Sequence, residues 1–245
     1  MQQTVENLTK WIQERVEDAG AKGALVGVSG GIDSAVVANL IKRAYPNNSL
    51  GVIMPCKSNP NDQKDARNVI DACGIDSVLV DLSNAHTELV TPVEMALKTS
   101  GRYNEEQAKL SDANTKARLR MTTLYSIAQN QNYLVVGTDN AAEWHTGYFT
   151  KFGDGGVDLV PLVNLTKGEV REMAQALSVP DAIINKAPSA GLWEGQTDEN
   201  EMGTTYENID KYLQGMDIPQ KDKEIIDRMH ERTAHKRQLA FSPPN

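Results

Sequence analysis

Residues 27–34 read Gly-Val-Ser-Gly-Gly-Ile-Asp-Ser and follow the apolar run Ala24-Leu25-Val26. Two adjacent glycines permit backbone conformations closed to other residues and let a bulky group approach the main chain. A helix beginning near Ser34 presents unpaired N–H groups and the positive end of its dipole, a setting suited to phosphate. Ser29 and Ser34 add hydroxyl donors. Asp33 would repel a bare phosphate, so an acid in this turn points to an intervening Mg²⁺. The lysine of a GxxxxGK[ST] loop is absent, so the usual cradle for the β- and γ-phosphates is not indicated.

Such a turn needs a strand before it and a helix after it. Apolar runs at 24–28, 50–54, 78–82 and 133–137 are rich in Val, Ile and Leu without clean alternation, which predicts strands buried on both faces. Helical stretches at 35–44, 62–73 and 114–130 separate them, and further helices are expected at 167–177, 206–214 and 222–235. Alternating strand and helix predicts an α/β fold, a doubly wound parallel sheet with helices on both faces and right-handed crossovers. Ligands of such sheets sit outside the carboxyl ends of the strands. Residues 27–34, Met54-Pro55-Cys56, Asp81 and Gly137-Thr138-Asp139 all fall at such ends. Residues 186–203, KAPSAGLWEGQTDENEMG, lack periodicity, and a loop this long in a compact domain is expected to be a mobile lid. No repeat or linker divides residues 1–245, so a single domain is expected.

The bulk properties narrow the field further. A composition of 40% apolar and 24% charged residues over 245 positions is that of a globular chain with a sizeable core. No apolar run approaches the ~20 residues needed to span a bilayer, and residues 1–20 have a charged amphipathic pattern unlike a signal peptide. Cys56 and Cys73 show neither CxxC spacing nor histidine companions, the usage of reduced thiols in a cytoplasmic protein. The net charge of −8 argues against nucleic-acid binding through overall charge, and neither a membrane nor a nucleic-acid partner is expected.

Serine, two glycines, any residue, aspartate and serine after a strand resembles the loop of the PP-loop ATP pyrophosphatases. That likeness implies cleavage of ATP between its α- and β-phosphates, adenylation of an acceptor, and capture of pyrophosphate in the loop. Other stretches choose among these enzymes: GTDNAAE at 137–143 followed by Trp144-His145, TKFGDGGVDLVPL at 150–162, Leu165-Thr166-Lys167, KAPSAGLWEGQTD at 186–198, and His235-Lys236-Arg237. Together they resemble the ammonia-dependent NAD synthetases over most of the chain, to residue 237. The resemblance implies a Rossmann-like, adenine nucleotide alpha hydrolase-like domain paired into a homodimer. It implies conversion of deamido-NAD, ATP and ammonia to NAD, AMP and pyrophosphate. The nicotinate carboxylate would attack the α-phosphorus, and ammonia would then open the adenylated intermediate.

Carried over position by position, the resemblance assigns Gly27, Val28, Ser29, Gly30, Gly31, Ile32, Asp33, Ser34, Thr138, Lys167 and Ser189 to ATP. It assigns Asp33 and Glu143 to Mg²⁺, Asp33, Glu143 and Lys167 to catalysis, and Arg118, Lys151, Asp158, His235 and Lys236 to deamido-NAD. The residues themselves are less specific. Glu143 alone reads as a helix-start acid favoured by the dipole. Lys167, in the first turn of a helix, opposes that dipole, which mildly favours a functional reason. Arg118 could clamp a phosphate or carboxylate, or both Arg118 and Arg120 could face solvent. His235 could be an ordinary surface histidine.

There is no stretch for a nitrilase-type glutaminase, so ammonia is expected from solution or from another protein. No residue stands out as a base for ammonia, residues 56–64 yield no assigned adenine contact, and the terminal SPPN suggests no mechanism. Two other functions stay open. A pyrophosphatase of this fold acting on a purine nucleotide or a tRNA base would keep the loop; the tRNA enzyme should be basic and richer in cysteine. An ATP-binding sensor would need neither the second acid nor a dinucleotide set.

Overall fold

The computed structural model describes residues 1–189 and 197–243. Its parallel sheet has the order β3-β2-β1-β4, from strands β1 (Gly23–Gly27), β2 (Ser49–Ile53), β3 (Asp76–Leu79) and β4 (Tyr133–Val135). Leu25 at the centre is in register with Leu50 on one side and Val135 on the other. Around the sheet run α1 (Gln2–Asp18), α2 (Ile32–Ala44), α3 (Pro60–Cys73), α4 (Ser83–Thr99) and α5 (Glu105–Gln131). There follow α6 (Ala141–Thr146), α7 (Lys167–Ala176), α8 (Asp181–Ile184), α9 (Asp198–Met202), α10 (Tyr206–Leu213) and α11 (Gln220–Arg232), then a 3₁₀ turn at Ala234–Arg237.

Successive side chains of a strand point to opposite faces, and β1 supplies both cores. Ala24, Val26 and Val28 pack with Ile12 of α1, Leu40 of α2 and Met173 of α7. Leu25 turns the other way, with Val52, Val135 and the α5 residues Leu124 and Ala128. The sheet is therefore covered on both faces, as a parallel sheet requires. A third cluster, with Ala142, Met202, Tyr206, Ile209 and Ile226, joins α6, α9, α10 and α11.

The chain winds from β1 to β2 to β3 in one direction, then returns to place β4 on the other side of β1. The order reverses between β1 and β4, and a crevice opens there at the carboxyl ends of the strands. The segments after β1 and after β4 face one another across it. No helix of the described residues is long and apolar enough to cross a membrane.

Several expectations shift. The third strand lies at Asp76–Leu79, earlier than 78–82, and all four of its residues are exposed, unlike those of the other edge strand, β4. The helix expected at 114–130 extends from Glu105 to Gln131, with Asn104 capping its start and Asn132 in the left-handed conformation at its end. The helix α4 was not anticipated: Leu89, Val93, Met95 and Leu97 are exposed, so its apolar residues mark no core face, and Pro92 lies within it. Of the supposed lid at 186–203, residues 190–196 lie outside the described residues, while 198–202 form α9 rather than loop.

Candidate functional site

At the end of β1 the chain turns through Ser29, Gly30 and Gly31 into α2, whose N-cap is Gly31. The turn is held by its own hydroxyls. The Gly31 N–H donates to Ser29 Oγ, the Ser34 hydroxyl donates to the Gly31 carbonyl at 2.9 Å, and the Ser29 N–H donates to Ser34 Oγ. Gly30 has φ +82°, and a Cβ there would lie 2.7 Å from Cβ of Asp65 and 2.8 Å from the Ala66 nitrogen. The side of Gly30 where a side chain would stand is thus filled by α3.

Asp33 stands in the first turn of α2 and Glu143 in the first turn of α6, beyond β4. The residue joining them is Asn140. Its Oδ1 accepts the N–H groups of Ala142 and Glu143, Glu143 Oε2 accepts the Asn140 N–H, and its Nδ2 donates to Asp33 Oδ1 at 2.9 Å. Asn140 and Glu143 thus form a capping box, and the helix-start reading of Glu143 is correct for one of its oxygens. The other oxygen, Oε1, lies 3.3 Å from Lys167 Nζ and accepts the Tyr206 hydroxyl at 2.9 Å.

Lys167 Nζ is 2.6 Å from Asp33 Oδ2, and the lysine is only 5% exposed. Its helix begins with a second capping box, Thr166 with Glu169. The N–H groups of Lys167 and Gly168 donate to the Asp210 carboxylate, which offsets the unfavourable placement of a cation at a helix start. Burial alone would lower the Lys167 pKa; Asp33 and Glu143 overcome it and hold the ammonium above its ordinary value. Burial pushes Glu143 up to about 7, with Lys167 opposing and Asp33 reinforcing the rise. One ammonium therefore serves two carboxylates, and Tyr206 links Glu143 to a third, Asp198, at 3.0 Å.

A cavity of about 880 Å³ opens over this cluster. Gly27, Val28, Ser29, Gly31, Ile32, Asp33, Ser34, Thr138, Glu143, Lys167, Ser189 and Lys236 all line it, so the structure brings most of the expected nucleotide set to one wall system. Gly30 does not line it, in keeping with its contact to α3. Arg118, Lys151 and His235 form a chain of their own: Arg118 Nη2 donates to the Lys151 carbonyl at 3.4 Å, and Lys151 Nζ to the His235 carbonyl at 2.7 Å. His235 borders a smaller hollow that shares Met229, Arg232, Thr233 and Lys236 with the main cavity. Lys236 donates to the carbonyls of Gly147 and Phe149. Asp158 is occupied structurally: its oxygens accept the Val135 N–H at 2.8 Å and the Tyr125 hydroxyl at 2.9 Å.

Sequence reasoning missed three cavity residues, Asp139, Asp154 and Arg120, and one residue bonded to the cluster, Tyr206. Asp139 is 4% exposed and its Oδ2 is without a hydrogen-bond partner; burial, then Asp154, Glu143 and Asp33, raise its pKa well above the usual range. Asp154, raised by burial, accepts the Thr150 N–H. Both lie inside motifs already noted, at 137–143 and 150–162, where an acid reads equally as a turn former. Tyr206 had no signal beyond its place in a helical stretch. Arg120, instead of facing solvent, turns into the cavity, its Nε–H donating to the Met54 carbonyl.

Among the described residues no cluster of three or more His, Cys, Asp or Glu is arranged to hold a metal. Two carboxylates suffice for Mg²⁺, which keeps several waters and takes its remaining ligands from substrate phosphates. Asp33 and Glu143, converging on one cation, fit that donor set, and the excess of buried carboxylate over ammonium favours a divalent ion.

A family profile described as NAD synthase matches residues 4–240. The NH(3)-dependent NAD(+) synthetase of Alkaliphilus metalliredigens (strain QYMF) is 58% identical over 239 residues, 98% of this chain and 97% of that protein. The protein of the same name from Alkaliphilus oremlandii (strain OhILAs) is 52% identical over 99% of this chain and 97% of its own length. Among solved structures, the NMN synthetase of Francisella tularensis is similar with a TM-score of 0.89 and 41% identity, covering 99% of this chain and 98% of that one. The NH3-dependent NAD synthetase of Campylobacter jejuni, in complex with the nitrate ion, has a TM-score of 0.76 and 27% identity over 99% and 98%.

Proposed function

Because the chain belongs to the NAD synthase family, we propose that it adenylates the nicotinate carboxylate of deamido-NAD with ATP and then amidates it with ammonia, yielding NAD, AMP and pyrophosphate. It is a carbon–nitrogen ligase acting at the last step of NAD biosynthesis. The observation that carries the reading is the convergence of Asp33, Glu143 and Lys167 at the strand-order reversal, beside a turn suited to phosphate. The N–H groups at the start of α2 receive phosphate oxygens. Lys167, a compact charge, holds a phosphoryl oxygen where negative charge grows as pyrophosphate leaves. Asp33 and Glu143 are the residues that would hold Mg²⁺, which when bound would supply positive charge to offset the negative charge growing on the leaving group. Asn140 keeps both carboxylates in place. Lys236 and the chain of Arg118, Lys151 and His235 offer donors to the dinucleotide.

The exposed apolar residues Val78, Leu79, Leu89, Val93 and Met95 on β3 and α4 support a homodimer formed through this edge. The free thiols of Cys56 and Cys73 suit a cytoplasmic setting. The likeness to the Francisella NMN synthetase favours a second reading, in which the acceptor is nicotinate mononucleotide. A product assay with ATP, Mg²⁺, ammonium and either acceptor tests both. NAD with stoichiometric AMP from deamido-NAD, at the higher kcat/KM, supports the first. A higher kcat/KM with the mononucleotide supports the second. AMP with neither amide product refutes both.

A further inference from the structure

Arg120 reaches the cavity wall from α5, towards the carboxyl end of β2. Its Nε–H donates to the Met54 carbonyl at 3.1 Å and its Nη2 to Ser58 Oγ at 3.0 Å. Both acceptors are neutral, and among the described residues no carboxylate forms an ion pair with it. Burial pushes its pKa down, and Cys56, Asp154 and Asp62 oppose this without touching it. A partly buried cation with no ion-pair partner is costly to keep, and two bonds leave donors of its five N–H groups unused. Three other cations of the same wall each hold two protein oxygens: Lys167 those of Asp33 and Glu143, Lys186 those of Asp62 and Asp65, and Lys236 the two carbonyls, whereas Arg120 holds only neutral acceptors.

The turn that Arg120 grips is itself constrained. Lys57 has φ +53°, uncommon outside glycine, and its N–H donates to Ser83 Oγ. Arg120 from α5 and Ser83 from α4 thus pin residues 54–58 from two sides.

We infer that Arg120 is an oxyanion receptor of the cavity, using its planar fork on a phosphate or carboxylate of one of the two substrates while it holds the turn at 54–58 in place. This rests on the two-substrate reading above, but its test needs no turnover. Mg²⁺ with α,β-methylene-ATP, and separately deamido-NAD, are titrated into wild type, Arg120→Gln, Arg120→Lys and Ser58→Ala. A charge-assisted hydrogen bond lost from a partly buried site corresponds to about 10- to 100-fold in affinity. Arg120→Gln should lose that much for one ligand, and Arg120→Lys, which keeps charge but not the fork, an intermediate amount. A loss confined to the ATP analogue assigns the oxyanion to phosphate; one confined to deamido-NAD assigns it to the acceptor. Affinities for both ligands within twofold of wild type would overturn the inference. So would an equal loss in Ser58→Ala, because that variant removes only the tie to the turn. If Arg120→Gln does not fold, wild-type affinities in Arg120→Lys carry the refutation. If no NAD forms in the product assay, the ATP-analogue titration still reports on Arg120.

Discussion

Replacing Lys167 by methionine tests the electrostatic balance of the site. The substitution keeps the length of the stem but removes the ammonium lying 2.6 Å from Asp33 and 3.3 Å from Glu143, whose side chains are 16% and 14% exposed. Breaking a buried pair by removing one partner costs ~3–5 kcal/mol, because the other charge is left uncompensated. Here the cost is smaller, since Asn140 and Tyr206 still donate to the two carboxylates and Glu143 can take a proton. A loss of about 3 kcal/mol is expected at pH 8, which for a domain of this size lowers Tm by roughly 6–12 °C. The sign with pH follows from Glu143. Its pKa stands at about 7 with Lys167 present, and removing the lysine, which lowers it, moves it higher. At pH 8 the wild-type carboxylate is charged and uses the ammonium; at pH 6 it is largely protonated and uses it less. The gap in Tm between wild type and variant should therefore shrink from pH 8 to pH 6. Thermal unfolding followed by circular dichroism at fixed protein concentration measures both. A variant within 2 °C of wild type at pH 8, or a gap that widens on acidification, would refute the reasoning. Mg²⁺ alone should raise Tm more in the variant than in wild type, since a divalent ion supplies the missing charge.

Gly30→Ala should destabilise by more than ~2 kcal/mol, combining a positive φ with a Cβ 2.7 Å from Asp65. Gly31→Ala, whose new Cβ meets only Ser29 Oγ at 3.3 Å, should cost well under half of that; equal losses by urea unfolding would contradict the packing of α3 on the turn. His86 is 1% exposed, beside Asp112, and burial lowers its pKa. Its folded pKa lies below its unfolded value of about 6.5, so stability from this group is present above that value and lost as pH falls through it. His86→Gln should flatten the loss of stability between pH 7 and pH 5, and an unchanged slope would exclude His86 as its source. Asp158→Asn can no longer accept from both Val135 and Tyr125 and should lower stability by about 1 kcal/mol. A rise in KM for deamido-NAD without any fall in Tm would show instead that Asp158 serves the substrate directly.

What the sequence determined by itself is local. The apolar runs without alternation specified the buried strands β1 and β2, since a strand covered on both faces has no polar side to alternate with, but not the exposed β3. The pair of glycines, serines and acid at 27–34 specified the turn into α2, and Asn140 with Glu143 and Thr166 with Glu169 carried the spacing of capping boxes, because those bonds close within four residues. The tertiary structure decided the rest. The strand order β3-β2-β1-β4 put the ends of β1 and β4 side by side, and only that brought Asp33, Glu143 and Lys167 within reach across 134 positions of sequence. The same three-dimensional placement turned Arg120 inward while Arg118 stayed exposed, spent Asp158 on β4, left α4 with its apolar residues outward, and set Tyr206 against Glu143. A side chain's neighbours across a fold are set by how elements pack, and no short window of sequence contains that information.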